Sequence, residues 1–213
     1  MSNSHPPRGR FIVFEGLDGA GTTTQARLLA ERFTAKGRAV WLAHQPSEGP
    51  VGLLVKQILA GRAATITADG KPGLVDERVM ALLFAADRLD QLTQQIEPRL
   101  ARGEDVILDR YTLSSLAYQG ATISHDYISQ VNRYALKADL TIFLYVPAQV
   151  GMERVHLRGA KVERYETEAQ LKVIEREYSR LVGTLASVVS VDGTRSMAEV
   201  AEACAAAVHQ QLG

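Results

Sequence analysis

Short runs of consecutive apolar residues alternate along this chain with longer stretches in which apolar residues recur every three or four positions. The runs Arg10 to Glu15, Ala39 to Ala43, Val106 to Leu108, Leu140 to Val146 and Ala186 to Val191 are apolar and partly β-branched, the pattern of strands covered on both faces. Between the first two, Thr24 to Lys36 predicts a helix: Leu29, Ala30 and Phe33 share one face, Arg27, Glu31 and Arg32 point elsewhere, and Gly37 supplies the stop. Val51 to Ala60 also reads as helical, and Thr65 to Gly73, with two glycines and a proline, as a surface loop. Val75 to Leu100 predicts one long helix, because Val79, Leu82, Leu83, Ala86, Leu89, Thr93, Ile96 and Leu100 are spaced by three and four. That stripe either packs on the sheet or pairs two copies of the chain. The alternation as a whole predicts an α/β fold, a five-stranded parallel sheet flanked by helices. Without an internal repeat or linker, residues 1–213 read as a single domain, with the polar, proline-containing residues 1–9 as a flexible N-terminus.

Composition narrows the class of partner. Lys plus Arg and Asp plus Glu number 24 each, so the net charge is zero, which argues against nucleic acid or an anionic membrane as the main partner. Apolar residues at 46% suffice for a substantial core. The single Cys204 lies among small residues in the last helical pattern and reads as a buried apolar group. No apolar leader or membrane-spanning run is present in the sequence, so a cytoplasmic location is expected.

The first strand and helix are joined by Gly16-Leu17-Asp18-Gly19-Ala20-Gly21-Thr22-Thr23, which keeps the spacing of the phosphate-binding pattern G-x-x-x-x-G-K-[ST] but places Thr22 in the lysine position. Backbone N–H groups and the helix N-terminus still attract anions, and the Thr23 hydroxyl can serve Mg²⁺, so a nucleotide phosphate site is expected from Gly16 to Thr23. Its missing charge must come from elsewhere, and the basic segment His156 to Arg164, with Arg158, Lys161 and Arg164, is one source. Asp109-Arg110-Tyr111 follows the strand ending at Leu108, at the sheet edge where open α/β folds bind ligands. There Asp109 can hold Mg²⁺ through water and Arg110 can grip a phosphate, or the two residues simply cap the next helix. Asp18 is either a turn former or a group facing an acceptor. Phe84 and Arg88, four apart on one helix face, suit stacking on a base and bonding its carbonyl, or are a core ring and a surface cation. Ser114 to Gln119 offers hydroxyls, a phenol and an amide within two helical turns, suited to reading a nucleoside or to an ordinary helix.

Phe11 to Gln25, Phe84 to Arg88, Asp109 to Gly120 and Arg154 to Glu166 together resemble, in order and separation, the signatures of thymidylate kinases, over nearly the whole chain. The resemblance implies a phosphate-binding-loop NTPase type of fold and transfer of the ATP γ-phosphate to dTMP, with Mg²⁺, giving dTDP and ADP for dTTP synthesis. It implies that Phe84 stacks on thymine and Arg88 binds its O4, that Ser115 and Gln119 read the base edge, and that Tyr118 packs on the sugar. Arg110 would hold the acceptor phosphate with Pro46 and Lys56 beside it, Asp18 would face phosphate and sugar, and Asp109 would stand near the Mg²⁺ shell with Thr23. Arg154, Arg158 and Arg164 would belong to a lid at about 155–166 over ATP, Arg158 and Arg164 there joining Asp18 and Arg110 in catalysis. The resemblance further implies a homodimer whose other partners are small molecules. A kinase of another pyrimidine monophosphate, such as dUMP, and a non-catalytic nucleotide-binding protein are the alternatives. Besides Thr22, the chain departs from the family at His44-Gln45-Pro46, where Arg-Glu-Pro is usual, and at Lys56, where Arg is common.

Overall fold

The computed structural model describes residues 7–157, 165, 167–185 and 187–213. Strand β1 (Phe11–Gly16) leads into helix α1 (Thr22–Ala35), β2 (Val40–His44) and α2 (Pro50–Leu59). A short hairpin, β3 (Thr65–Ile66) and β4 (Pro72–Gly73), precedes α3 (Glu77–Gln91) and α4 (Glu97–Ala101). Then follow β5 (Asp105–Asp109), α5 (Thr112–Tyr118), α6 (His125–Val131), β6 (Leu140–Tyr145), α7 (Ala148–Leu157), α8 (Glu168–Val182), β7 (Val188–Asp192) and α9 (Met197–Leu212). The five long strands form one parallel sheet in the order β2-β5-β1-β6-β7. Because β1 and β5 are neighbours, the loops at their carboxyl ends, Gly16 to Gly21 and Arg110 to Tyr111, come to lie side by side.

Every residue of β1 is buried, as its unbroken apolar run requires of a strand covered on both faces. Ile12 and Phe14 pack with Leu29, Phe33, Ile142 and Leu144 on one side, whereas Phe11 and Val13 pack with Leu92, Ile96, Leu100 and Leu108 on the other. Helix α1 starts at Gly21, whose φ of 94° is a left-handed conformation that costs glycine nothing, and stops before Gly37 at φ 77°. The N-terminal stretch is not wholly loose: Gly9 is buried with its N–H on Leu100 O at 2.8 Å, and Arg8 pairs with Asp139 at 2.7 Å.

Two expectations are corrected. Thr65 to Gly73 is not plain loop, since Thr65 and Ile66 pair antiparallel with Gly73 and Pro72 around a turn. The long helix is interrupted by a single π-type turn, Leu92–Ile96, just before Pro98, whose ring would clash with the carbonyl four residues back in a regular α-helix. That extra residue rotates the buried face. Beyond the turn Ile96 and Leu100 point inward, but before it Val79 (44% exposed), Leu82 (49%) and Leu89 (42%) of the same predicted stripe face outward. The inward positions of α3 are Met80 and Ala81, of which Met80 packs in a small core with Val55 and Ile58 of α2, and the polar Asp87, Arg88 and Gln91.

Candidate active site

Leu17 and Ala20 turn their side chains into the core, leaving the backbone of the Gly16 to Thr23 loop to face outward. Gly19 must be glycine on contact grounds as well, because a Cβ there would lie 2.2 Å from Gly151 O. Thr22 is buried and packs its methyl towards Gly16, so the lysine position presents no charge to the loop mouth. Thr23 hydrogen-bonds through its hydroxyl to Asp109 Oδ2, across the β1–β5 pair, while Asp109 Oδ1 is buried without a partner. One hydroxyl and one half-satisfied carboxylate suit Mg²⁺, which keeps most of its waters and needs no all-protein cage. Among the described residues no cluster of three or more His, Cys, Asp or Glu offers such a cage.

Arg110 occupies a left-handed conformation, φ 69°, unusual for a side chain with a Cβ. Its backbone N–H donates to Phe14 O at 2.8 Å, and its guanidinium reaches back to Gly16 O at 2.7 Å and Asp18 Oδ1 at 2.6 Å. The ring of Tyr118 lies beneath the guanidinium at 5.4 Å, and the Tyr118 hydroxyl donates to the second Asp18 oxygen at 2.9 Å. Asp18 is therefore more than a turn former, because its carboxylate joins the loop to the helix after β5. Neither Asp109 nor Arg110 caps that helix. The free N–H groups of Tyr111 and Ser114 are taken by Glu15 Oε1 at 2.9 and 3.1 Å.

A cavity of about 150 Å³ opens beside these groups. Asp18 and Arg110, Phe84, Arg88 and Gln119 all line it, together with Ser115, Tyr118 and Pro46, which follows the cis Gln45–Pro46 bond. Arg88 is 2% exposed, contrary to a surface cation. Its Nε donates to Gln45 Oε1 at 3.1 Å, Nη1 to Asn132 Oδ1, and Nη2 to Tyr111 O at 3.1 Å and Ser115 Oγ at 3.0 Å. All four acceptors are neutral, and burial lowers the guanidinium's pKa from its usual value, though an arginine starts too high to lose its charge. Gln119 is buried with its carbonyl oxygen unpartnered, an acceptor available to a base edge. The Tyr111 phenol, by contrast, is pushed up to about 12 by burial and stays neutral.

Most of the residues singled out in the sequence thus lie at or beside one cavity, with five exceptions. Lys56 does not line the cavity and pairs instead with Glu48 at 2.6 Å. Arg154 lies on the other side of the glycine loop, where it donates to Gly193 O at 3.0 Å and lines a more open cavity of about 370 Å³ with Gly19, Ala20, Gly21, Arg195 and Met197. Arg158, Lys161 and Arg164 lie outside the described residues, and the lid expected at about 155–166 is represented only by the end of α7 and by Tyr165.

Several residues at the site escaped the sequence reading. Tyr165 lines the same cavity, its hydroxyl on Glu77 Oε2 at 2.8 Å and its ring edge-on to Tyr118 at 5.6 Å. Asn132 and Gln91, together with Gln45, noted in the sequence only as a departure from the family, build the cage around Arg88 and its support, with Gln45 Nε2 on Gln91 Oε1 at 3.1 Å. Glu15 carries the only sequence signal of the group, an acid closing an apolar strand.

Comparison with known proteins agrees with this geometry. The family model described as thymidylate kinase matches residues 14–204. A protein of Thermococcus onnurineus, named probable thymidylate kinase, is 36% identical over 208 residues, covering 95% of this chain and 98% of the relative. Proteins of the same name from Pyrococcus horikoshii (36% over 208 residues, 97% and 99% covered) and Methanocaldococcus jannaschii (36% over 190 residues, 89% of each) are similar in the same way. The family model over residues 14–204 and the nearly full-length similarity on both sides mean that the chain belongs to the thymidylate kinase family.

Proposed function

We propose that the protein transfers the γ-phosphoryl group of ATP to dTMP, giving dTDP and ADP. The observation that carries this reading is one cavity lined both by Phe84, Arg88 and Gln119, suited to a base, and by Arg110 and Asp18 of the Gly16 to Thr23 loop. Phe84 offers a ring face to thymine. One Arg88 N–H beyond the four already bonded is left for a carbonyl at position 4, and the Gln119 oxygen accepts from N3–H. Arg110 turns its guanidinium to the acceptor phosphate, while Asp18 and Tyr118 hold it in plane.

The reaction is an in-line displacement: a phosphate oxygen of dTMP forms the new P–O bond as the bond to ADP breaks, with no covalent enzyme intermediate. The chain's own work is alignment and charge neutralisation. Loop amides from Gly16 to Thr23 receive the donor phosphates, and Arg154 and the β7–α9 loop flank the donor cavity. Thr23 and Asp109 would hold Mg²⁺, which when bound offsets charge on the donor phosphates. Catalysis by Arg158 and Arg164 rests on sequence alone. Residues 1–213 are read as one domain working on small molecules in the cytoplasm; no described helix is long and apolar enough to cross a membrane. A homodimer is supported by the outward Val79 and Leu82 of α3 beside Leu53 and Leu54 of α2, all exposed.

The test is a coupled assay of ADP release with dTMP, dUMP and dCMP as acceptors. Efficient turnover of dTMP, with dCMP far poorer, is expected. Background turnover with every acceptor, despite measurable nucleotide binding, would overturn the reading.

A further inference from the structure

Glu15 is fully buried at the end of β1, immediately before the phosphate loop. Its carboxylate serves three elements at once. Oε1 accepts the N–H groups of Tyr111 and Ser114, and Oε2 accepts the hydroxyls of Ser114, at 2.5 Å, and of Tyr178 from α8, at 3.2 Å. Burial raises the carboxyl's pKa, with the Ser114 hydroxyl and the nearby charge of Arg110 acting against the rise.

What this arrangement surrounds is Arg110. A non-glycine residue in the left-handed region persists only where its neighbours over-determine it. Here both peptide N–H groups flanking its Cα are tied to consecutive residues of β1: that of Arg110 to Phe14 O at 2.8 Å, and that of Tyr111 to Glu15 Oε1 at 2.9 Å. The first is a backbone bond that any sequence would make. Only the second depends on a side chain. Helix α5, which starts at Thr112, has no side-chain cap of its own, so the carboxylate also does the capping that its sequence omits.

We propose that Glu15 is a positioning residue for Arg110: it clamps the turn after β5 in the left-handed conformation that aims the guanidinium at the acceptor phosphate. The proposal rests on the dTMP kinase reading for what Arg110 grips, but the clamp itself concerns the chain alone. It requires reach and an acceptor atom, and the negative charge is secondary. Glu15→Gln keeps an oxygen at the same distance and discards the charge. Glu15→Asp keeps the charge and withdraws the oxygen by about 1.5 Å, one carbon–carbon bond.

The two variants are compared in dTMP titrations of turnover, with ATP titrations as control. Glu15→Gln is expected to keep kcat/KM for dTMP within about fivefold of the parent, since the N–H groups retain an acceptor. Glu15→Asp is expected to lose about 10- to 100-fold, through the dTMP KM and with the ATP KM unchanged. In an Arg110→Ala background Glu15→Asp should cost no more than about twofold, the non-additivity of residues acting as one unit. Full additivity, or Asp retaining more activity than Gln, overturns the proposal. If Glu15→Asp does not fold, Glu15→Gln still decides: a loss well beyond tenfold means that charge, and not the acceptor, does the work. A crystal structure of Glu15→Asp separates this proposal from the function reading, because relaxation of φ at residue 110 is expected whether or not dTMP is the substrate. A retained left-handed turn refutes the clamp even if the parent enzyme phosphorylates dTMP.

Discussion

Replacing Arg88 by Lys keeps the positive charge that the proposed function places against the base and changes only how many directions it can serve. A guanidinium has five N–H groups in a fixed plane, whereas an ammonium has three. Four of the five are committed to Gln45 Oε1, Asn132 Oδ1, Tyr111 O and Ser115 Oγ, so one remains for a base carbonyl. Lysine therefore leaves at least one cage acceptor unbonded, and two if it also donates to the base. Each buried acceptor without a donor costs about 1–3 kcal/mol. For a chain of this size that corresponds to a fall in Tm of roughly 2–4 °C per kcal/mol. Loss of the bond to the base removes about 1.5–3 kcal/mol from dTMP recognition, or about 10- to 150-fold in kcat/KM. The assay is steady-state ADP release with dTMP varied at saturating ATP and then the reverse, together with thermal unfolding of the same preparation. The expected result is a raised dTMP KM, an unchanged ATP KM and a lowered Tm. A dTMP kcat/KM within about threefold of the parent refutes the hydrogen-bond count, and equal losses for both substrates refute the placement of Arg88 at the base.

Asp109→Asn keeps a partner for the Thr23 hydroxyl but removes the charge beside it, so half-saturating Mg²⁺ should rise and kcat fall by about 10- to 100-fold. Titrating Mg²⁺ at fixed ATP checks this, and an unchanged Mg²⁺ dependence contradicts the metal assignment. Leu82→Glu puts a charge on the exposed α3 stripe and should give a folded protein with a near-parental Tm that sediments as a monomer. Ultracentrifugation decides it, and a parent that is already monomeric removes the dimer proposal. The raised pKa of Glu15 has a sign that can be read in stability. Above the ordinary carboxylate value of 4.5 the unfolded chain releases this proton while the folded chain retains it, so folding stability attributable to the group falls as pH rises from there to the folded pKa. The Tm advantage of the parent over Glu15→Gln should accordingly shrink between pH 4.5 and neutrality, and a widening gap would mean that the folded state prefers the charged carboxylate.

The sheet, the glycine loop and most residues that line the cavity were legible because each leaves a local mark on the chain. A strand buried on both faces must be continuously apolar, as Phe11 to Phe14 is, and a helix entering from a tight loop needs a residue free to take positive φ, as Gly21 does. Local order also exposed the missing lysine at Thr22. What the chain alone did not decide was which way polar groups on a helix turn. Periodicity put Val79, Leu82 and Leu89 on one stripe with Ile96 and Leu100 and left open whether it met the sheet or a second copy, but the π-type turn before Pro98 splits that stripe. The inner face of α3 is shared by Met80 and Ala81 with Asp87, Arg88 and Gln91, whose polar groups find hydrogen-bonding partners there, and the outer stripe remains apolar. Likewise Lys56 reads as a site cation until its partner Glu48 is seen, eight residues away in sequence and 2.6 Å away in space.

Tertiary structure alone decided the second layer of the site. Gln45 and Asn132 caging Arg88, Tyr165 walling the cavity, and Glu15 joining β1 to α5 and α8 are bonds between residues 43 to 163 positions apart or walls built from distant segments, and no local spacing encodes them. The physical reason is that covalent neighbours and helical or strand periodicity determine which backbone elements form and what chemistry each can carry. The direction of a buried hydrogen bond is chosen only when separate elements have packed and every buried polar group must find a partner.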